Sequence, residues 1–167
     1  MKLLAEINQL KDAKHYRDVF VRDGAKGLAM HEDKLLLLKL RDGSYKIPGG
    51  GLKPNETVRN ALIREFLEEC GIAIESYDIR IAGKVHELKA DKFEPDCIFS
   101  HTSYVATISM VSFEIGAQQL DDYEEKLGMH PVWVELSEVN MYLDPEGPHD
   151  WNLRDARIVQ DVLFTRE

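Results

Sequence analysis

The segment GGLKPNETVRNALIREFLEECGI, Gly50 to Ile72, decides how this chain is read. From Thr57 to Cys70 it contains no Gly or Pro and is rich in Ala, Leu, Arg and Glu, so it predicts a helix that Gly71 stops. At about 100° per residue, Glu65, Glu68 and Glu69 stand at i, i+3 and i+4 and share one face. Leu62, Ile63, Phe66, Leu67 and Cys70 form the opposite arc, which is expected to face the core.

Like charges on adjacent turns cost a helix roughly 0.2–0.5 kcal/mol per pair. A solvated acidic face is the plain explanation of such a cluster. A hard divalent cation would offset the repulsion, and an all-carboxylate ligand set suits Mg²⁺ or Mn²⁺.

The spacing around the carboxylates adds to this. Gly50 is followed after five residues by Glu56, after seven more by Arg64-Glu65-Phe66, then after one by Glu68-Glu69 and after one by Gly71-Ile72. In this pattern the chain resembles the Nudix hydrolases over their whole signature box, with every charged and Gly position present. Phe66 stands where the family usually has an aliphatic residue, a departure that bears on packing behind the helix more than on chemistry.

The resemblance implies an α+β fold, an α/β/α sandwich around a mixed sheet, as one domain over residues 1–167. It implies metal-dependent hydrolysis of a pyrophosphate bond in a nucleoside diphosphate linked to another moiety. The carbonyl of Gly49 and the carboxylates of Glu65, Glu68 and Glu69 would hold Mg²⁺ or Mn²⁺. Glu65, Arg64 and Glu68 would form the catalytic set, with Glu65 the first choice of base. Glu56 would pair with Arg64 to brace the glycine loop against the helix. Some members recruit a further acid after the box, and Glu124 or Glu125, in the run with Asp121 and Asp122, is the expected recruit; a solvated loop is the alternative.

Markers of individual substrates are missing. Where an ADP-ribose subgroup carries a Pro after the box, this chain has Glu87, Leu88 and Lys89. Nucleoside triphosphates, modified nucleotides and nucleotide sugars stay open. Phe20, Tyr45, Phe93 and Phe99 are candidates for stacking on a base, or for ordinary packing. Two other functions on the same fold are a nucleotide-sensing module without hydrolysis, and a diphosphate isomerase that would need a pocket thiol such as Cys97.

The 167 residues suffice for one core, and a net charge of −9 argues against nucleic acid or an anionic membrane as partner. A small nucleotide-type substrate is expected, and a homodimer is compatible with the chain. The N-terminus reads as neither signal peptide nor membrane span, which predicts a cytoplasmic protein with Cys70 and Cys97 reduced. The six histidines, His15, His31, His86, His101, His130 and His149, show no i,i+3 or i,i+4 pair and read as surface or hydrogen-bonded residues.

Strands are expected over Ala25–Met30, Lys34–Leu40, Tyr45–Ile47, Ser76–Leu88, Ile98–Val111 and Pro131–Leu136, with a polar loop at Lys89–Asp96. A short helix is expected at Ser137–Tyr142. A closing amphipathic helix is expected at Asp150–Phe164, with Leu153, Ile158, Val159 and Val162 as its core positions. Met1–Asp23 carries no diagnostic pattern.

Overall fold

The computed structural model describes residues 1–11 and 16–165. His15 lies outside the described residues. The elements run β1 (Leu3–Asn8), β2 (Asp18–His31), β3 (Lys34–Lys39), β4 (Tyr45–Lys46), β5 (Gly49–Gly51), α1 (Val58–Cys70), β6 (Asp78–Ala90), β7 (Cys97–Ser109), α2 (Asp122–Leu127), β8 (His130–Glu135), α3 (Val139–Tyr142) and α4 (Asn152–Val159). The described strands form one mixed sheet in the order β1-β6-β7-β2-β3-β4, with β5 on β2 and β8 on β3. The β1–β6 and β2–β7 pairs are parallel, and the rest are antiparallel.

The run KLLLLK in β3 shows why a helix can pack on each face. Leu36 and Leu38 enter one apolar cluster with Leu62 and Phe66 of α1, while Leu35 and Leu37 enter the other with Ile158 and Val159 of α4. A strand buried on both faces reads as a continuous apolar run, because successive side chains point to opposite sides. Phe66 is fully buried, and it fits because the strand beneath it has Gly27: a side chain there would run into the Phe66 ring.

Helix α1 starts where Thr57 caps the N–H of Asn60, and it ends in a left-handed Gly71 at φ 66°. The expected core arc holds for Leu62, Phe66 and Cys70. Leu67 is 40% exposed and Ile63 only half-buried, while Glu65 and Glu69 are buried. The segment after β7 meets the end of this helix, where Gln119 and Gly116 donate backbone N–H groups to the Glu68 and Cys70 carbonyls and the Gln118 side chain donates to the Glu69 carbonyl. In α4, Ile158 and Val159 are core as expected, whereas Leu153 and Val162 are half-buried and the polar Asn152, Arg154 and Asp155 are buried instead. The chain continues past α4 as one wider π turn, Gln160–Phe164.

Three elements fall where none was expected, the first being β5, since Gly49–Gly51 of the glycine turn pairs with β2. Leu3–Asn8 adds β1 to the sheet edge, and the run expected as a loop before Pro131 contains α2. No described helix is long and apolar enough to cross a membrane.

Candidate active site

The glycine turn is held by four side chains from three elements. Lys26 of β2 donates through Nζ to the carbonyls of Ile47 and Gly49, both at 3.1 Å. Asp155 of α4 accepts the Ile47 N–H at 2.8 Å, and Glu69 of α1 accepts the Gly49 N–H at 2.7 Å. Arg64 donates to the Gly51 carbonyl at 3.0 Å. Gly49 itself is at φ 131°, and a side chain there would run into the Ala25 carbonyl, so only glycine fits.

Arg64 is the hub of this corner. Its Nε and Nη2 reach the two oxygens of Glu56, each at 2.9 Å, a bidentate pair spanning eight residues of sequence. Nη1 donates to Glu65 at 2.6 Å and reaches Glu68 at 3.4 Å. The Arg64 hydrogen bonds hold the Glu56 carboxyl down to about 2, and Glu56 in turn raises the Arg64 guanidinium above its ordinary value.

Glu65, Glu69 and Glu124 converge, with carboxylate oxygens all within 4.8 Å of one another. Glu65 and Glu69 are buried and Glu124 half-buried. Burial raises the pKa of Glu69, opposed by Lys46 and Lys26, and burial also raises that of Glu124. Lys46, whose Nζ lies 3.4 Å from Glu69, loses charge stability to burial, but Glu69 and Asp155 outweigh that and its pKa is raised. Burial, then Lys46, pushes the Lys26 amine down to about 7.

The structure thus brings Gly49, Glu56, Arg64, Glu65 and Glu69 into one corner. Glu68 lines the same cleft from its rim, 37% exposed, outside the tight triad. Glu124 enters and Glu125 stays exposed. Glu124 is positioned by a capping box, in which Asp121 accepts the Glu124 N–H and the Glu124 side chain accepts the Asp121 N–H. The Asp-x-x-Glu spacing of Asp121 and Glu124 was the available signal. Lys46 and Lys26 had none, since a lysine in a strand ordinarily reads as solvated.

The cleft has a volume of about 790 Å³ and is lined by the glycine turn, the acids, Lys46, Arg22 and Tyr123. Arg22 also lines an adjoining cleft of about 360 Å³, together with Lys89, Phe93 and Phe99. Of the four aromatic candidates, Phe93 and Phe99 therefore line a cleft that shares Arg22 with the cleft of the acids; Phe20 is exposed on β2, and Tyr45 packs on Tyr142 at 4.9 Å. Cys97 is buried, unpaired and outside both clefts, and Cys70 is buried and unpaired in the core.

The histidines divide. His31, His86, His130 and His149 make polar contacts, with the Met110 carbonyl, Ser100, the Gly128 carbonyl and Asp42. His101 departs from the expectation: it is buried, its Nδ1 has no partner among the described residues, and burial followed by Arg154 pushes its pKa down to about 3. Apolar and cationic neighbours keep that ring neutral.

The family model for the NUDIX domain matches residues 17–161, and the chain belongs to this family. Over 44 residues it is 50% identical to an uncharacterized Nudix hydrolase, YvcI, of Bacillus subtilis (strain 168), a match that covers 26% of this chain and 28% of that protein. The chain therefore matches well under half the length of this relative. Its fold is similar to the MutT protein of Bacillus halodurans, with TM-score 0.58 and 22% identity over 86% of this chain and 83% of that one. It is equally similar to a MutT NUDIX hydrolase of Burkholderia pseudomallei, with TM-score 0.58 and 23% identity over 86% and 98%.

Proposed function

We propose that this protein hydrolyses a pyrophosphate bond in a nucleoside diphosphate linked to another moiety, using Mg²⁺ or Mn²⁺. The observation that carries this reading is the convergence of Glu65, Glu69 and Glu124 at the wall of an open cleft. Family membership agrees with it. Among the described residues, the ion pairs of these three carboxylates are with Arg64 and Lys46 alone, and Arg64 already serves Glu56, so the corner has an excess of negative charge. An oxygen-only donor set of that charge fits a hard divalent cation.

Glu65, Glu69 and Glu124 would hold the cation, with Glu68 at the rim and the Gly49 carbonyl sharing its oxygen with Lys26. When bound, the cation would neutralise phosphate oxygens and make water a better nucleophile. The chain's own groups would do the rest. Arg64 fixes the orientation of Glu65, and the grip on Ile47, Gly49 and Gly51 keeps the turn rigid beside the reacting phosphates, where a shift of about 1 Å can cost roughly 10²-fold in rate. Arg22 and Lys46 supply positive charge for phosphate oxygens.

Two acids compete for the role of base. Glu65 is bonded to Arg64, whereas the side-chain contact of Glu124 is to the backbone of Asp121. Glu124 keeps the freer oxygen, and we assign the proton transfer to it, a role worth roughly 10²–10⁴ in rate. The adjoining cleft, with Phe93, Phe99 and Lys89, suits the nucleoside part of a substrate whose phosphates lie at the acids.

The test is incubation with a panel of nucleoside triphosphates, nucleotide sugars and modified nucleotides with Mg²⁺ or Mn²⁺, with products identified by mass. Cleavage at a pyrophosphate bond, abolished by chelation, is expected. Tight binding of a nucleotide without turnover would replace this reading with a sensing module.

A further inference from the structure

One run of strand has a bare edge. β2 begins at Asp18, yet β5 pairs with it only from Gly24 and β3 only at Met30 and His31. From Asp18 to Arg22 its inner edge is laddered to Cys97–His101 of β7, and among the described residues no main chain pairs with its outer edge. Val19, Phe20 and Val21 are 50%, 44% and 76% exposed. Three consecutive exposed strand formers on an open edge are what folded proteins normally avoid, by charge, Pro or cover.

The peptide groups of alternate residues point to opposite edges of a strand. On the outer edge the Asp23 carbonyl accepts the Leu52 N–H, and the Gly27 N–H donates to the Pro48 carbonyl. Odd-numbered residues therefore face outward, and the register with β7 runs unbroken through this stretch. Val19 and Val21 thus present their peptide groups to the open edge. The Val19 N–H is capped by the Asp18 carboxylate at 2.8 Å.

The sequence of this edge, Arg17-Asp18-Val19-Phe20-Val21-Arg22-Asp23, is its own complement when reversed. Laid antiparallel against a second copy about Phe20, it sets Val19 opposite Val21, Asp18 opposite Arg22 and Arg17 opposite Asp23. Every charge meets its opposite. Arg17 already pairs with Asp96 but stays 72% exposed, so its fork has donors to spare. The same register matches outward-facing Val19 to outward-facing Val21, which is what a hydrogen-bonded antiparallel pair requires. A slip of one residue would instead face Asp18 with Asp23 and an outward residue with an inward one. We propose that the chain forms a homodimer by antiparallel pairing of its β2 edges about Phe20, which joins two sheets into one.

Sedimentation equilibrium over a dilution series tests this without reference to activity. The wild type should show twice the chain mass, falling to one on dilution. Val21→Pro removes an N–H that bonds nothing in the chain's own sheet, a position where an edge strand tolerates Pro, and should be monomeric with an unchanged far-ultraviolet spectrum. Asp18→Arg places like charges opposite Arg22 at both symmetry-related positions and should weaken the dimer about tenfold. Adding Arg22→Asp to it should restore the dimer. A wild type monomeric at every concentration, or a Val21→Pro protein that still dimerises, overturns the proposal; should Val21→Pro not fold, failure of the charge swap to restore the dimer overturns it.

Discussion

Buried charge lies on both sides of the sheet, and the two clusters differ in balance. On the α4 side, Arg154 reaches Glu87 at 3.3 Å and Asp155 at 3.0 Å, and Lys26 completes a set with two groups of each sign. Hydrogen bonds to Ile47 and Gly49 use what remains of Asp155 and Lys26. On the α1 side, Glu65, Glu69 and Glu124 crowd together beside an open cleft with too little positive charge. A closed, balanced cluster has nothing left to bind, and its value is positional: it fixes the glycine turn from behind. An open cluster of one sign stores repulsion that a cation can relieve.

The comparison breaks most visibly in activity. Glu69→Gln keeps the shape of the acid cluster but removes a charge and weakens the hold on the Gly49 N–H, so kcat/KM should fall by more than about 10²-fold with an unchanged circular dichroism spectrum. Unchanged turnover would refute the site.

The opposite cluster should break in stability. Asp155→Ala leaves the Ile47 N–H buried without its partner and Arg154 with Glu87 alone, which should cost about 3–5 kcal/mol in urea denaturation. A loss below about 1 kcal/mol would show that the balanced cluster does not hold the turn.

Metal should separate the two regions. At about 100 times Kd, Mg²⁺ or Mn²⁺ should stabilise the wild type by roughly 2.7 kcal/mol, read as a rise in Tm. Glu65→Gln or Glu69→Gln should shrink that gain and Asp155→Ala should retain it. A gain equal in all of these proteins would place the cation elsewhere.

The smallest effect concerns the brace between them. Glu56 is held at about 2, against an ordinary 4.5, by Arg64. A folded-state value below the unfolded one means its stabilisation is full above about pH 4.5 and is lost as pH falls toward 2. Glu56→Gln should therefore lose about 2 kcal/mol at neutral pH and show a flatter decline across that window. In kcat/KM, Glu56→Gln and Arg64→Ala should be non-additive, because they remove one shared contact. Strict additivity would mean that the two act independently.

Much of this was legible in the chain. The box spacing declared the helix, its Thr57 and Gly71 ends and the pairing of Arg64 with Glu56, because each depends on short-range geometry or on a recurring local pattern. Lys34–Leu40 declared a strand, and the structure showed its leucines buried on both faces. Residues acting across the sheet were not legible. Lys26, Lys46 and Asp155 are ordinary polar residues in sequence, 20, 109 or 129 positions from one another, and only the register of β2 and the docking of α4 bring them to the same turn.

The amino-acid sequence by itself determined the helix, its carboxylate spacing and the glycine turn, since these follow from backbone conformation and 3.6-residue periodicity. The tertiary structure decided which carboxylates meet. It buried Glu69, left Glu68 at the rim, and brought in Glu124 over Glu125 through the capping of α2. Burial and convergence depend on what packs against each face, and no local pattern encodes that.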